Sequence, residues 1–295
     1  MTPLAAIWIN WIFTSTMPVA AKAALPYMHP VILAWLGALA GLLYFIPAII
    51  RNRWLSVFCG KEHRFTLFIM GAFGSAFPII LFVSALNYTT PANAAILAQI
   101  EIVYSLVMAG IFLGERPCRR QLAGTFLVMA GTFMIAWHER FTPRWKGDLL
   151  VLCAPWMYQL SHIAAKKLPQ SFAPEQIAAA RAFYAFITMT PIALFGAYKY
   201  GWGIRPDAAS LSLLVYWGFV LNGLNMVLWY RAIRNMDLAK ATAIILSYPV
   251  MTTGISVLTG MDTLALYQVS GLVIAMAGAY WVTMIVKTQR ERVTA

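Results

Sequence analysis

Glu101 stands near the middle of an otherwise apolar stretch, ANAAILAQIEIVYSLVMAGIFLGE, and it is the residue with the most to offer chemically. All four aspartates, Asp148, Asp207, Asp237 and Asp262, fall at loops or at the ends of apolar segments. A charge deep in a bilayer is expensive, so this carboxylate must face protein or water and find a partner. Two roles fit it: a counter-ion for a cationic ligand, or a protonated, hydrogen-bonded glutamate that ties helices together. Ser105, one turn on, shares its helical face with Ala94 and Ala98.

Other polar residues in apolar surroundings fall into three groups. GFVLNGLNMVLWY places Asn222, Asn225 and Trp229 on one stripe, where the amides either bind a ligand or bond across helices for roughly 0.6 kcal/mol each. The first apolar segment carries Asn10, Trp11, Thr14 and Ser15. A later one carries Trp156, Tyr158, Gln159 and His162, whose imidazole could carry a proton or simply line a hydrated space. Arg181 lies two turns into its segment and either snorkels outward or holds a carboxylate, from a ligand or from Glu101.

These residues make no recognisable enzyme. There is no H-E-x-x-H, no G-x-S-x-G and no pair of aspartates within an apolar segment, and the four histidines, His29, His63, His138 and His162, are scattered. Three cysteines, Cys59, Cys118 and Cys153, show neither C-x-x-C spacing nor an even count, so neither disulfides nor structural zinc are indicated. No phosphate-binding loop is present, so ATP is not expected to drive anything. No cofactor or metal is expected.

The elements that must position these side chains are membrane helices. Of 295 residues, 61% are hydrophobic and 11% charged, far below the roughly 25% charged residues of soluble domains. Ten segments are apolar over about the 20 residues a helix needs to cross hydrocarbon. They centre on residues 4–22, 30–50, 65–86, 91–113, 120–138, 147–166, 174–198, 210–231, 239–260 and 265–287. AKA at 21–23 mimics a signal-peptide cleavage site, but no charged region precedes the apolar run, so the first segment reads as a retained helix.

The net charge of +12 follows topology and forms no nucleic-acid-binding face. Of the 22 Lys and Arg residues, six (Lys22, Arg140, Arg144, Lys146, Lys199 and Arg205) fall on one side of the bilayer and Arg181 falls within a span. The other fifteen share the side of both termini, which the positive-inside rule makes cytoplasmic. Trp8, Trp137, Trp145, Trp202 and Trp281 lie near span ends as an interfacial belt, which leaves Trp11, Trp156 and Trp229 for a pocket.

The chain also repeats itself. A shift of 147 residues lays ALNYTTPANAAIL onto AIRNMDLAKATAI, and QLAGTFLVMAGT onto QVSGLVIAMAGA. Near the front the shift is 145, pairing Trp11 with Trp156 and Lys22 with Lys167. The halves are residues 1–143 and 144–295. Five spans per half is an odd number, so the second copy must be inverted, an arrangement that builds midplane sites in secondary transporters. The repeat sets Tyr248 opposite Glu101 and Thr252 opposite Ser105, giving a cavity with two unlike sides.

FVSALNYTTPANAAIL followed by LGE at 113–115, YRAIRNMDLAKATAIILSYPV, and the tryptophan-plus-lysine of the first and sixth spans resemble the EamA branch of the drug/metabolite transporter superfamily. Arg181, early in the second span of its half, matches that family's pattern. Gly37 in the first half departs from it, as does Ile102 where Pro249 keeps the usual proline. The resemblance implies an all-α membrane protein of ten helices in two inverted five-helix repeats around a central cavity. It also implies export of metabolites, commonly amino acids, or of drugs, and some similar members export aromatic amino acids.

The expected reading is an inner-membrane secondary transporter that works by alternating access. Its partners are a small-molecule substrate and the lipid bilayer, with oligomeric state left open. Amino acids with aromatic or large apolar side chains are the expected cargo. Efflux of lipophilic cations, which Glu101 would also suit, and a non-transporting receptor or assembly subunit are the alternatives. The orientation is testable: a C-terminal green fluorescent protein should fluoresce in cells and a C-terminal alkaline phosphatase should be inactive, whereas an active phosphatase would reverse the topology.

Overall fold

The computed structural model describes residues 1–91, 94, 97–136, 145–202, 204, 207–260 and 266–294. The boundary at 143/144 and the expectations on Ala92, Trp137, His138, Arg140, Arg144, Arg205 and Asp262 lie outside these residues. All secondary structure among the described residues is helical.

Among the described residues, six helices are long and apolar enough to cross a membrane: α1 (Pro3–Ala24), α2 (Pro30–Arg51), α3 (Arg64–Ala85), α7 (Pro174–Lys199), α8 (Ala208–Ile233) and α9 (Leu238–Leu258). The other four expected spans fall on α4 (Glu101–Leu113), α5 (Arg119–Ala136), a broken α6 (Trp145–Leu152 and Pro155–Lys167) and α10 (Leu266–Thr294). Large apolar side chains such as Ile50, Phe126, Phe195 and Leu258 point outward from the bundle. Water would penalise such a surface, whereas lipid solvates it.

Helix starts follow local chemistry. Thr2 accepts a hydrogen bond from Ala5 N ahead of Pro3, and Asp207 with Ser210 forms a reciprocal capping box on α8. Helix packing follows the small residues. α5 runs against α10, and a Cβ on Gly131 would lie 2.5 Å from Gly271 O, so only glycine permits that approach. Gly37 of α2 admits the indole of Trp217 from α8, which occupies the space a larger residue would need.

The interior helices are not continuous. α3 contains a π-helical segment at Ala72–Ala76 and α8 one at Tyr216–Leu224. A 3₁₀ turn, Ala98–Ile100, precedes α4, and α9 breaks after Ile245 before restarting at Pro249. The break before α4 displaces the single unbroken stripe expected through Ala94, Ala98, Glu101 and Ser105, because Glu101 is the first residue of a new helix.

Beneath these breaks the chain is clasped. Glu115 Oε1 accepts from Lys166 Nζ at 2.7 Å and from Leu238 N at 2.9 Å, while Oε2 accepts from Ala239 N at 3.1 Å. One carboxylate thus satisfies two orphan donors at the start of α9 and pairs with the end of α6. Arg234 adds bonds to the carbonyls of Leu168 and Pro169, and Arg231 pairs with Glu175. Glu115→Ala should lower the unfolding free energy in detergent by about 3 kcal/mol, because it leaves the Lys166 ammonium with only the Met236 carbonyl and strands two amides in a largely buried site. A thermal midpoint equal to the wild type's would show that the clasp carries no stability.

Candidate functional site

The breaks in α4, α6 and α9 and the π segment of α8 surround one cavity, of which about 150 Å³ is open to the centres of water molecules. Its walls are supplied by α1 (Asn10, Thr14), α3 (Phe82), α4 (Glu101), α6 (Tyr158, His162), α7 (Arg181), α8 (Trp217, Asn222, Asn225, Trp229) and α9 (Tyr248). A carboxylate, a guanidinium and an imidazole therefore meet indoles, phenols and amides in one space.

Glu101 is held by α6: Gln159 Nε2 donates to its Oε1 at 2.7 Å. Gln159 is fully buried and stands behind the carboxylate outside the lining, so it fixes the carboxylate's position. Tyr248, the repeat counterpart, caps the second half of α9, and it too faces the cavity. Both residues sit where a helix restarts, which places each at the positive end of a half-helix.

Arg181 does not snorkel. It is 4% exposed and each nitrogen of its guanidinium makes one bond: Nε donates to Ser75 Oγ at 2.7 Å, Nη1 to Tyr230 Oη at 3.2 Å, and Nη2 to Gly74 O. The π segment of α3 makes this possible, since its widened turn turns Gly74 and Ser75 toward α7. A Cβ on Gly74 would lie 2.8 Å from Ser161 Cβ and 3.1 Å from Arg181 Nε. None of Arg181's bonding partners is anionic, so its positive charge remains uncancelled by contact, in the same cavity as Glu101.

The wall between α1 and α8 is a polar ladder. Asn10 Nδ2 donates to Asn225 Oδ1 at 2.6 Å and to its carbonyl at 2.8 Å, and Asn225 Nδ2 donates to Thr14 Oγ1 at 3.1 Å. Trp229 Nε1 donates to His162 Nδ1 at 3.0 Å across α8 and α6.

Other expected site residues lie outside the lining. Thr252 donates to Ser15 O at 2.7 Å and so ties α9 to α1, while Ser15 Oγ bonds back to Trp11 O within α1. Trp11 packs edge-on against Trp8, and Trp156 is 37% exposed beside Phe73. Ser105 is buried on α4, one turn beyond Glu101. Asn10 and Tyr158, named with the polar groups of the first and sixth spans, line the cavity, and so does Trp217, which the sequence did not single out. Asn10 and Tyr158 share helical faces with residues that were chosen. Trp217 had a subtler signal, the glycine at position 37 where the resemblance led one to expect arginine.

A family profile described as the EamA-like transporter family matches residues 2–137 and 145–284. The chain belongs to the EamA-like transporter family. It is therefore a multi-pass membrane transporter and not an enzyme. This EamA-like chain is 24% identical over 274 residues to a probable amino-acid metabolite efflux pump of Salmonella typhimurium, covering 89% of this chain and 88% of that protein. It is 29% identical over 154 residues to a probable terminal-alkyne amino-acid exporter of Streptantibioticus cattleyicolor, covering 51% of this chain and 50% of that protein. An uncharacterized inner membrane transporter of Escherichia coli, YhbE, is 25% identical over 253 residues, covering 80% of this chain and 74% of that protein. One protein of known crystal structure shares the fold with a TM-score of 0.77 at 18% identity, over 97% of this chain and 98% of that one.

Arg181 gives the EamA-like site a structural test. Lysine keeps the charge but loses the fork that reaches three acceptors. Arg181→Lys should reduce stability in detergent by roughly 2 kcal/mol, with Ser75→Ala losing less. Equal stability of Arg181→Lys and wild type would mean that the bonds to α3 do not hold the guanidinium in place.

Proposed function

We propose that the chain is an inner-membrane exporter of amino acids with aromatic or large apolar side chains, working by alternating access between two inverted five-helix repeats, residues 1–143 and 144–295. The observation that carries this reading is the cavity's composition. Glu101 offers a partner for an ammonium group, Trp217, Tyr158 and Tyr248 offer aromatic surface, and Arg181 adds a separate positive charge. An amino acid presents a cation, an anion and an apolar side chain, and it complements all three. A lipophilic cation, the second reading, complements Glu101 and the aromatics but meets an uncancelled charge at Arg181. The names of the Salmonella and Streptantibioticus relatives point the same way.

The repeat reading is supported by helix irregularities in matching places. A shift of 147 carries the π segment at 72–76 into the one at 216–224, and the 3₁₀ turn at 98–100 onto 245–247, which overlaps the break at 246–248. Arg181 meets α3 at its π segment, as Gly37 of α2 meets α8 at its own. Matched weak points in each repeat are where one bundle could rock against the other. Lys166 lies one turn beyond His162, so the Glu115 clasp underlies the cavity end that holds Trp229 and His162. We assign it to the cytoplasmic side, where it seals the cavity in this conformation.

Counterflow in proteoliposomes, with the purified chain loaded with unlabelled amino acids or cationic dyes, tests the substrate directly. Labelled phenylalanine or tryptophan should accumulate transiently and the dyes should not. Dye counterflow alone would favour the second reading, and no flux of either would leave a receptor.

A further inference from the structure

The bond between Trp229 and His162 fixes more than two side chains. An indole N–H can only donate, so the atom it meets at 3.0 Å must be an imidazole nitrogen with a free lone pair. A protonated imidazolium has no such lone pair. While the bond stands, His162 is neutral and its single proton is on Nε2. The two rings are 4.8 Å apart between centroids at 56°, and both side chains are buried, so the arrangement is well packed. Among the described residues Nε2 has no hydrogen-bond partner, and His162 lines the cavity.

Helix α6 sets the distance between this donor and Glu101. Gln159, which bonds Glu101, and His162 are three residues apart, or ~4.5 Å of helical rise, on one face. Glu101, through Gln159, and His162 are thus both tied to one turn of α6, and both line the cavity. An acceptor and a donor bordering one cavity suit a ligand that carries both an ammonium and a carboxylate group. Arg181 also faces this space with its charge uncancelled by contact, which favours a ligand with an anionic group.

We infer that His162 Nε2–H is the donor for the substrate's carboxylate, and that Trp229 is a positioning residue that sets its tautomer. This rests on the amino-acid reading above and sharpens it: the site recognises an α-amino acid zwitterion through Glu101 at one end and His162 at the other. It also removes His162 from proton carriage as long as Trp229 is in place, leaving Glu101 as the ionisable ligand of the cavity that is free of such a lock.

Competition against labelled L-phenylalanine counterflow, with unlabelled L-phenylalanine and phenethylamine as probes, separates the possibilities. The wild type should favour the amino acid over the amine by about tenfold, the loss expected for one charge-assisted hydrogen bond. His162→Leu should erase that preference by weakening the amino acid and leaving the amine within about twofold. His162→Gln, which keeps an N–H near the Nε2 position, should restore part of it. Trp229→Phe should also shrink the preference, because its ring can no longer hold Nδ1 as an acceptor. Loss of both ligands together in His162→Leu would overturn the carboxylate subsite while leaving amino-acid export standing. Absence of any amino-acid counterflow by the wild type would overturn the export reading and the subsite with it. A substrate-independent measurement is the ¹⁵N spectrum of the histidines in lipid: the signal lost in His162→Gln should be a neutral Nε2–H tautomer that changes in Trp229→Phe. An imidazolium or Nδ1–H signal there would overturn the assignment.

Discussion

A backbone that leaves helical hydrogen bonding inside a bilayer must be satisfied by protein or by enclosed water, and this constraint organises the molecule. Among the described residues, the departures from regular helix in the interior of the bundle border or support the cavity: the 3₁₀ turn before Glu101, the gap between the two parts of α6, the break before Pro249, and the π segments of α3 and α8. The π segment of α3 has its loosened groups taken up by Arg181, and that of α8 carries Trp217 and Asn222 into the cavity wall. The surrounding α5 and α10, which face lipid and each other, are unbroken where described.

The cavity's chemistry follows from that geometry. Helix restarts put Glu101 and Tyr248 at equivalent places in the two halves, so sequence divergence between repeats became chemical asymmetry within one site. Arg181 and Gly37 diverged in the same way. In one half a guanidinium binds the π segment of the neighbouring helix; in the other, a missing side chain admits Trp217. The result is a site lined by a carboxyl group, a guanidinium and an aromatic wall. An uncharged, symmetric ligand would gain little from it.

Much of the fold was legible in composition: spans, turn signals and the internal repeat all follow from hydropathy and residue identity. Pro249 announced the break in α9. Its counterpart before Glu101 was hidden, because Ala98, Gln99 and Ile100 contain no helix breaker and the break there follows from tertiary packing. Arg181 could not be placed from sequence, since snorkelling and burial differ only by whether partners such as Gly74, Ser75 and Tyr230 are within reach. Strict 3.6-residue spacing also fails across a π segment, which slips the register by a residue. That slip is why Trp217 escaped notice while Asn222, Asn225 and Trp229 on the same helix did not. The expectation for Trp11 and Trp156 went the other way, because their helices turn the indoles into packing and outward beside Phe73.

The proposed function rests most heavily on Glu101 as the counter-charge for the substrate's ammonium group. Calorimetric titration of L-phenylalanine into the purified wild type and into Glu101→Gln, which preserves shape and a hydrogen-bonding partner for Gln159, tests that role most directly. Affinity should fall at least about tenfold in the variant, the expected loss for removing one charge from a desolvated ion pair. Equal affinity in both proteins would make Glu101 a structural tie between α4 and α6 and would contradict its place in substrate recognition.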